Sequence, residues 1–368
     1  MKIILLNNNL KEGLAIVGHA TGENTNLPIL KNIFLKTFNN KIQLTATNLE
    51  LAITQLISGK IIEEGGITVP FSVLYGIVNN CDSERVTLEV KNNVLHFKTD
   101  NYEAKIQGVS EEEFPIIPKV ENNKHFISIS MEIIKNAFLK VLPAIQISEI
   151  RPEISGVLFD FQLTHFKLVG TDSFRLVEKT IQEKDFQSNF PRGFKMIIPL
   201  KTAQEIVRSI KDGDVFFYID PNQVLIKNND LEIVSRLIDG TYPEYEPVIP
   251  KEFETECILN RESFTHSIKL VSNFTGKVND IKIKTKEGKK ALEIYSANQY
   301  FGENQYLIPA KIKGQDFESS FNWRYLLEGL KNFETEELFF GVNGEVRPAL
   351  LKNPADTSYF YLVMPVKS

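Results

Sequence analysis

One order of apolar and polar positions occurs three times along the chain. An apolar segment, a helix-like stretch and three short apolar peaks begin at Val69-Pro70, at Ile198-Pro199 and at Phe321-Asn322. The first copy has its peaks at Val86, Val90 and Val94. In the second they fall at Val215, Ile219 and Val224, displaced by 129, 129 and 130 residues. In the third, Leu338, Val342 and Val346 are each displaced by 252.

The segments ahead of these peaks correspond as well. Ile42-Gln43-Leu44-Thr45-Ala46-Thr47-Asn48 matches Phe166-Lys167-Leu168-Val169-Gly170-Thr171-Asp172, and Leu292-Glu293-Ile294-Tyr295-Ser296-Ala297-Asn298 is a third version. Each alternates with the period of a strand and ends in turn-favouring residues. The first two copies close in Pro-rich phrases, Glu113-Phe114-Pro115-Ile116-Ile117-Pro118 and Thr241-Tyr242-Pro243-Glu244-Tyr245-Glu246-Pro247-Val248-Ile249-Pro250, which suit extended linkers. A period above 100 residues is too long for a solenoid, so the pattern predicts three similar domains, 1–120, 121–250 and 251–368.

Within each copy short strands surround two helices, expected near 7–20 and 70–80, 131–142 and 199–211, and 261–273 and 322–332. The stripe Met131, Ile134, Ala137, Phe138 has helical spacing, with Ser130 before it as a candidate N-cap. Strands with interspersed helices imply an α+β fold whose helices cover one side of the sheets.

Composition narrows the class. The 368 residues are 42% hydrophobic and 24% charged, ordinary for packed globular domains. No run of eighteen apolar residues suggests a membrane span, and the start lacks a secretory core and cleavage site, so a cytoplasmic location is expected. Cys81 and Cys257 have no CxxC spacing and read as reduced packing residues. Asn273-Phe274-Thr275 fits a glycosylation acceptor only by chance in such a chain.

The net charge of −5 argues against a nucleic-acid binder until its distribution is considered. The six helical stretches carry Lys11, Lys135, Lys140, Lys201, Arg208, Lys211, Arg261, Lys269, Arg324 and Lys331 against Glu12, Glu132, Glu205, Glu262 and Glu328. Ten cations less five anions give the helices +5, leaving −10 for the rest. A basic helical surface on an acidic body suits sequence-independent attraction to phosphates. Solvated helix faces would carry the same residues.

Motifs for catalysis are missing: there is no Walker phosphate loop, GxGxxG, GxSxG, HExxH or paired CxxC. His19, His96, His125, His165 and His266 are scattered singly, without metal-ligand spacing. No cofactor or metal is expected. Scattered catalytic carboxylates would leave no such signature, so an enzyme with an inter-domain site stays open.

Several phrases, in order along nearly the whole chain, resemble the bacterial beta sliding clamp of DNA polymerase III. They are Leu27-Pro28-Ile29-Leu30, Leu44-Thr45-Ala46-Thr47-Asn48-Leu49-Glu50 and Arg151-Pro152-Glu153-Ile154-Ser155-Gly156-Val157-Leu158-Phe159. They continue with Gly170-Thr171-Asp172-Ser173-Phe174-Arg175-Leu176 and Leu237-Ile238-Asp239-Gly240-Thr241-Tyr242-Pro243-Glu244-Tyr245. Phe321-Asn322-Trp323-Arg324-Tyr325-Leu326-Leu327 and the ending Tyr361-Leu362-Val363-Met364-Pro365-Val366 complete the set.

The resemblance implies a non-catalytic processivity factor, a head-to-tail homodimer whose six domains form a ring around double-stranded DNA. It also implies a pocket that receives short Gln/Leu/Phe motifs from the replicative polymerase, the clamp loader and repair proteins. Carried over by matching phrase, that pocket comprises Ile154, Thr171, Ser173, Phe174, Arg175, Leu176, Pro243, Val248, Leu362, Val363, Met364, Pro365 and Val366, flanked by Asn322, Tyr325 and Pro348. Arg175 is expected as a donor at the rim.

In the ring that the resemblance implies, Lys135, Lys201, Arg208, Arg261 and Lys331 are expected to face DNA, and Ile106, Leu270 and Val271, which align with the family's protomer junction, to meet the second protomer. Phe174 departs from the His or Tyr frequent in the family, and Pro152-Glu153 from an aromatic found in some members. Read without the resemblance, Thr171-Asp172-Ser173 is a strand-ending turn and Leu362-Val363-Met364 a core-facing terminal strand. An accessory clamp-like scaffold is the other reading the resemblance allows.

Overall fold

The computed structural model describes residues 1–22, 26–121, 124–286 and 288–367. Its helices are α1 (Asn7–Val17), α2 (Phe71–Asn80), α3 (Met131–Val141), α4 (Leu200–Ser209), α5 (Arg261–Val271) and α6 (Trp323–Leu330). All lie where the periodicity places them. They sit on the sheets because each buries one stripe. In α1, Leu10, Gly13, Leu14 and Val17 are buried. A Cβ on Gly13 would lie 2.7 Å from Leu44 and 2.8 Å from Ile57, so the glycine permits that approach. Asn260 and Asn322 cap α5 and α6, accepting the backbone N–H groups of Ser263 and Arg324.

Each copy runs strand, helix, three-strand meander, strand, helix, three-strand meander; the first two add a short strand, Lys60–Glu63 and Phe186–Ser188, after the front meander. The front meanders are Asn32–Phe38, Lys41–Thr47 and Leu51–Ile57; Gly156–Gln162, His165–Thr171 and Arg175–Gln182; and Asp280–Thr285, Ala291–Asn298 and Gly302–Gly314. Their middle strands are the three matched phrases. The apolar peaks form the back meanders, with one exception. Val346 lies 63% exposed in the turn between Glu337–Val342 and Ala349–Asn353, because the third copy joins these strands by a longer connection.

The chain groups into two compact units, Met1–Lys135 with Lys184–Pro191 and Gln204–Leu237, and Asn136–Glu183 with Arg192–Ala203 and Ile238–Ser368. The second copy is thus divided, for a reason visible in the ladders. In the first unit, Leu231–Arg236 pairs antiparallel with Leu51–Ile57, Val234 opposite Ala52, within a nine-stranded sheet. In the second, Asp356–Val363 pairs antiparallel with Arg175–Gln182, Leu362 opposite Leu176, within a twelve-stranded sheet. Backbone hydrogen bonding runs from one copy into the next at both joins.

Candidate functional site

The second join creates a cavity with a predominantly apolar lining. Its floor is the buried cluster of Ile154, Leu158, Val169, Leu176, Ile197, Tyr242, Tyr245, Phe339, Leu350 and Leu362. Above it a cavity of about 180 Å³ is lined by Arg151, Thr171, Ser173, Phe174, Arg175, Leu176, Tyr242, Pro243, Glu244, Tyr245, Val248, Pro348, Leu362 and Met364. The stretch Tyr242–Val248 also lines a larger, open recess of about 1280 Å³. Apolar side chains predominate in the smaller cavity, with a few polar groups among them, as in sites that take apolar ligands.

The wall is a hydrogen-bonded turn. Asp172 Oδ1 accepts the backbone N–H groups of Phe174 (2.9 Å) and Arg175 (3.0 Å). The Thr171 hydroxyl donates to the Arg175 carbonyl at 2.7 Å and accepts the Ser173 N–H at 3.2 Å. Ser173 is held at φ 75°, a conformation that costs a non-glycine residue of the order of 1 kcal/mol. The turn leaves Phe174 58% exposed at the mouth. The strand-ending turn read from the residues and the cavity wall are therefore the same object.

Arg175 is not the rim donor expected of it. Its side chain is 9% exposed; Nε donates to Asp172 Oδ2 at 2.9 Å and Nη1 to Glu328 on α6. The guanidinium lies 4.3 Å from the Tyr325 ring centroid. Burial opposes its charge, but Tyr361, Glu328 and Asp172 outweigh this and raise its pKa. The exposed arginine is Arg151, which reaches Glu153 and the Ser173 hydroxyl, both at 3.2 Å.

Strand alternation sorts the carboxy-terminal residues. Leu362 and Met364 line the cavity, whereas Val363, between them, is fully buried on the opposite face. Pro365 and Val366 are not in the lining either, and the Val366 N–H donates to the Ser320 carbonyl. Ile154 lies beneath the cavity as part of its floor. Asn322 serves as the α6 cap, while Tyr325 stands behind the wall, its ring 6.5 Å from that of Phe174.

Arg151, Tyr242, Glu244 and Tyr245 complete the lining, and no sequence motif singles them out. The two tyrosines around Pro243 are the available signal. Tyr245 donates to buried Glu178 at 2.7 Å; burial, then this bond, raises its pKa. The Tyr242 hydroxyl is buried without a hydrogen-bond partner among the described residues, and burial raises its pKa too.

The basic residues are less uniform than their count suggests. Lys201 and Lys331 are exposed and make no ion pair among the described residues. Lys135 is half-buried. Arg208 pairs with Glu205 at 3.3 Å, and Arg261 is spent on the Thr335 carbonyl and Glu262, at 3.0 and 3.2 Å. Of the residues expected at a second protomer, only Leu270 is exposed, at 42%. Ile106 and Val271 are buried in the chain's own core, so they cannot present the expected apolar surface.

Among the described residues no group of three or more His, Cys, Asp or Glu is placed to hold a metal, and no helix is long and apolar enough to cross a membrane. Burial pushes the Cys257 thiol up to about 12, away from thiolate chemistry.

Comparison with known families matches residues 1–118, 128–244 and 246–367 to the N-terminal, central and C-terminal domains of the DNA polymerase III beta subunit. The chain is 27% identical to the beta sliding clamp of Bacillus subtilis, all of both chains being covered. The crystal structure of the DNA polymerase sliding clamp from B. subtilis matches with a TM-score of 0.94 at 26% identity, covering 100% of this chain and 99% of that one. A sliding clamp from Bartonella birtlesii, solved bound to griselimycin, matches at 0.92 and 25% identity over the whole of both chains.

Proposed function

The chain belongs to the DNA polymerase III beta subunit family, and from that we propose that it is a DNA sliding clamp, a ring that encircles duplex DNA and tethers polymerase without catalysing a reaction. The observation that carries this reading is the presence of all three family domains, in order, along one chain. Two protomers close the ring in the cytoplasm, and the domains divide near residues 120 and 250. Lys201 and Lys331 attract phosphates weakly on the inner wall, where a topologically held ring needs little affinity. Leu270 contributes to the protomer junction. The cavity between Thr171–Leu176, Tyr242–Val248 and Leu362–Met364 takes short Gln/Leu/Phe segments of the polymerase, the clamp loader and repair proteins.

The test combines native mass with retention on DNA. The wild-type protein should weigh as a dimer and, once loaded, stay on closed circular DNA but slide off after linearisation. Lys201→Glu with Lys331→Glu should flatten the salt dependence of binding to open linear DNA, by about one unit of slope for each phosphate no longer neutralised. A monomer that leaves circles and linear DNA equally fast would sink the reading.

A further inference from the structure

The peptide cavity has a wall whose shape depends on a residue outside it. Phe174 and Ser173 line the cavity, and the turn that presents them ends at Arg175. Arg175 is a side chain with two carboxylate partners. Asp172 belongs to the turn itself and spends its other oxygen on the turn's backbone. Glu328 belongs to α6, and it is the carboxylate that ties the turn to a second element.

That element is fixed independently. A Cβ on Gly329 would lie 2.7 Å from the Tyr361 ring, so α6 rests directly on the strand Asp356–Val363. The Tyr361 hydroxyl donates to the Tyr325 carbonyl at 2.9 Å, and the Tyr325 ring lies against the Arg175 guanidinium. Arg175 is therefore held between a ring and a carboxylate of one rigid helix. Without Glu328 the guanidinium keeps Asp172 and its contact with the Tyr325 ring but loses the hydrogen-bonded ion pair that fixes its position on α6.

We propose that Glu328, which is absent from the cavity lining, is a positioning residue for peptide docking: it holds Arg175, and through it sets the placement of the Ser173-Phe174 wall. This rests on the reading of the cavity as the peptide site. A second consequence concerns charge. Arg324, Glu328 and Lys331 follow one another at helical spacing along one stripe. An uncompensated carboxylate there would repel phosphate, and Arg175 neutralises it. The wall of the peptide cavity and the charge of a helix beside a proposed DNA-facing lysine thus share one ion pair.

The experiment is a fluorescence titration of the full-length protein with a labelled peptide bearing Gln, Leu and Phe, using wild type, Met364→Ala, Glu328→Gln, Arg175→Met and the double variant. Glu328→Gln should weaken binding by about three- to tenfold, which converts to about 1 kcal/mol. In the Arg175→Met background the same change should have no further effect, because the residue acts through Arg175. A general weakening of α6 would instead add to the Arg175 loss. If Arg175→Met does not fold, Arg175→Lys replaces it, keeping charge without the planar fork. Unchanged affinity for Glu328→Gln, or additive losses, overturns the proposal while a normal Met364→Ala defect leaves the cavity assignment standing. Failure of wild type to bind the peptide overturns both.

Discussion

Among the described residues the turn at 47–51 is built again at 171–175, and the second of the two walls a smaller, more apolar cavity. At Thr47–Leu51, Asn48 Oδ1 accepts the N–H groups of Glu50 and Leu51 at 3.0 and 2.8 Å, and the Thr47 hydroxyl bridges Leu49 and Leu51 at 3.0 Å each. At Thr171–Arg175 the pattern is repeated bond for bond. Leu49 and Ser173 even share a φ of 75°. What differs is the side chains hung on that frame. The first turn ends in Leu51, an apolar side chain that is buried, and its neighbours Ala52 and Val234 border a larger groove of about 770 Å³ with Pro115, Ile116 and Pro118. The second ends in an ion-paired arginine, and Leu176 and Leu362 replace Ala52 and Val234 across the same strand pair. Backbone chemistry fixes the turn; the larger side chains and the ion pair shape a pocket from it.

Making the second turn like the first should have the largest effect on stability. Arg175→Leu leaves Glu328 and one Asp172 oxygen without their cation, in a partly buried setting. The expected loss is about 3 kcal/mol, read from urea unfolding. Adding Asp172→Asn, which restores the first turn's chemistry, should recover part of it. A single variant as stable as wild type would show that the arginine is held by nothing of consequence.

A smaller and more even effect is expected from removing the side-chain acceptors. Asn48→Ala and Asp172→Ala each delete two bonds to backbone N–H groups, worth about 1–2 kcal/mol. Asp172→Ala should cost more, since it also strips Arg175 of a partner. Equal losses in the two unfolding curves would mean that the ion pair adds nothing to the turn.

The two turns also explain what is legible in the sequence. The matched phrases ending in Thr-Asn and Thr-Asp carry strand and turn together, because alternation and side-chain capping are both local. The six helices are legible from apolar spacing for the same reason. Ile106 and Val271, assigned to the protomer junction through the family resemblance, lie buried in this chain's own core, because an apolar residue on an amphipathic element faces either the core or a partner, and a matching position does not say which. The strand ending at Val363 shows how a contiguous phrase overreaches: alternation admits Leu362 and Met364 to the cavity and turns Val363 away. The rim position expected for Arg175 fails because its partner Glu328 is 153 residues distant, and no local pattern announces such a pair.

If the second join is a docking site in its own right, its cavity should receive a partner peptide independently of ring formation. Leu176, Leu362 and Met364 offer a bound Leu or Phe about 1.5–3 kcal/mol of apolar burial per side chain before ordering costs. The direct measurement is a titration of labelled Gln/Leu/Phe peptide against wild type and a chain ending at Val363, with retention on circular DNA assayed on the same samples. The shortened protein should still dimerise and stay on the circle, while its affinity for the peptide falls at least tenfold. A shortened ring that remains on DNA and binds the peptide as tightly as wild type would contradict it.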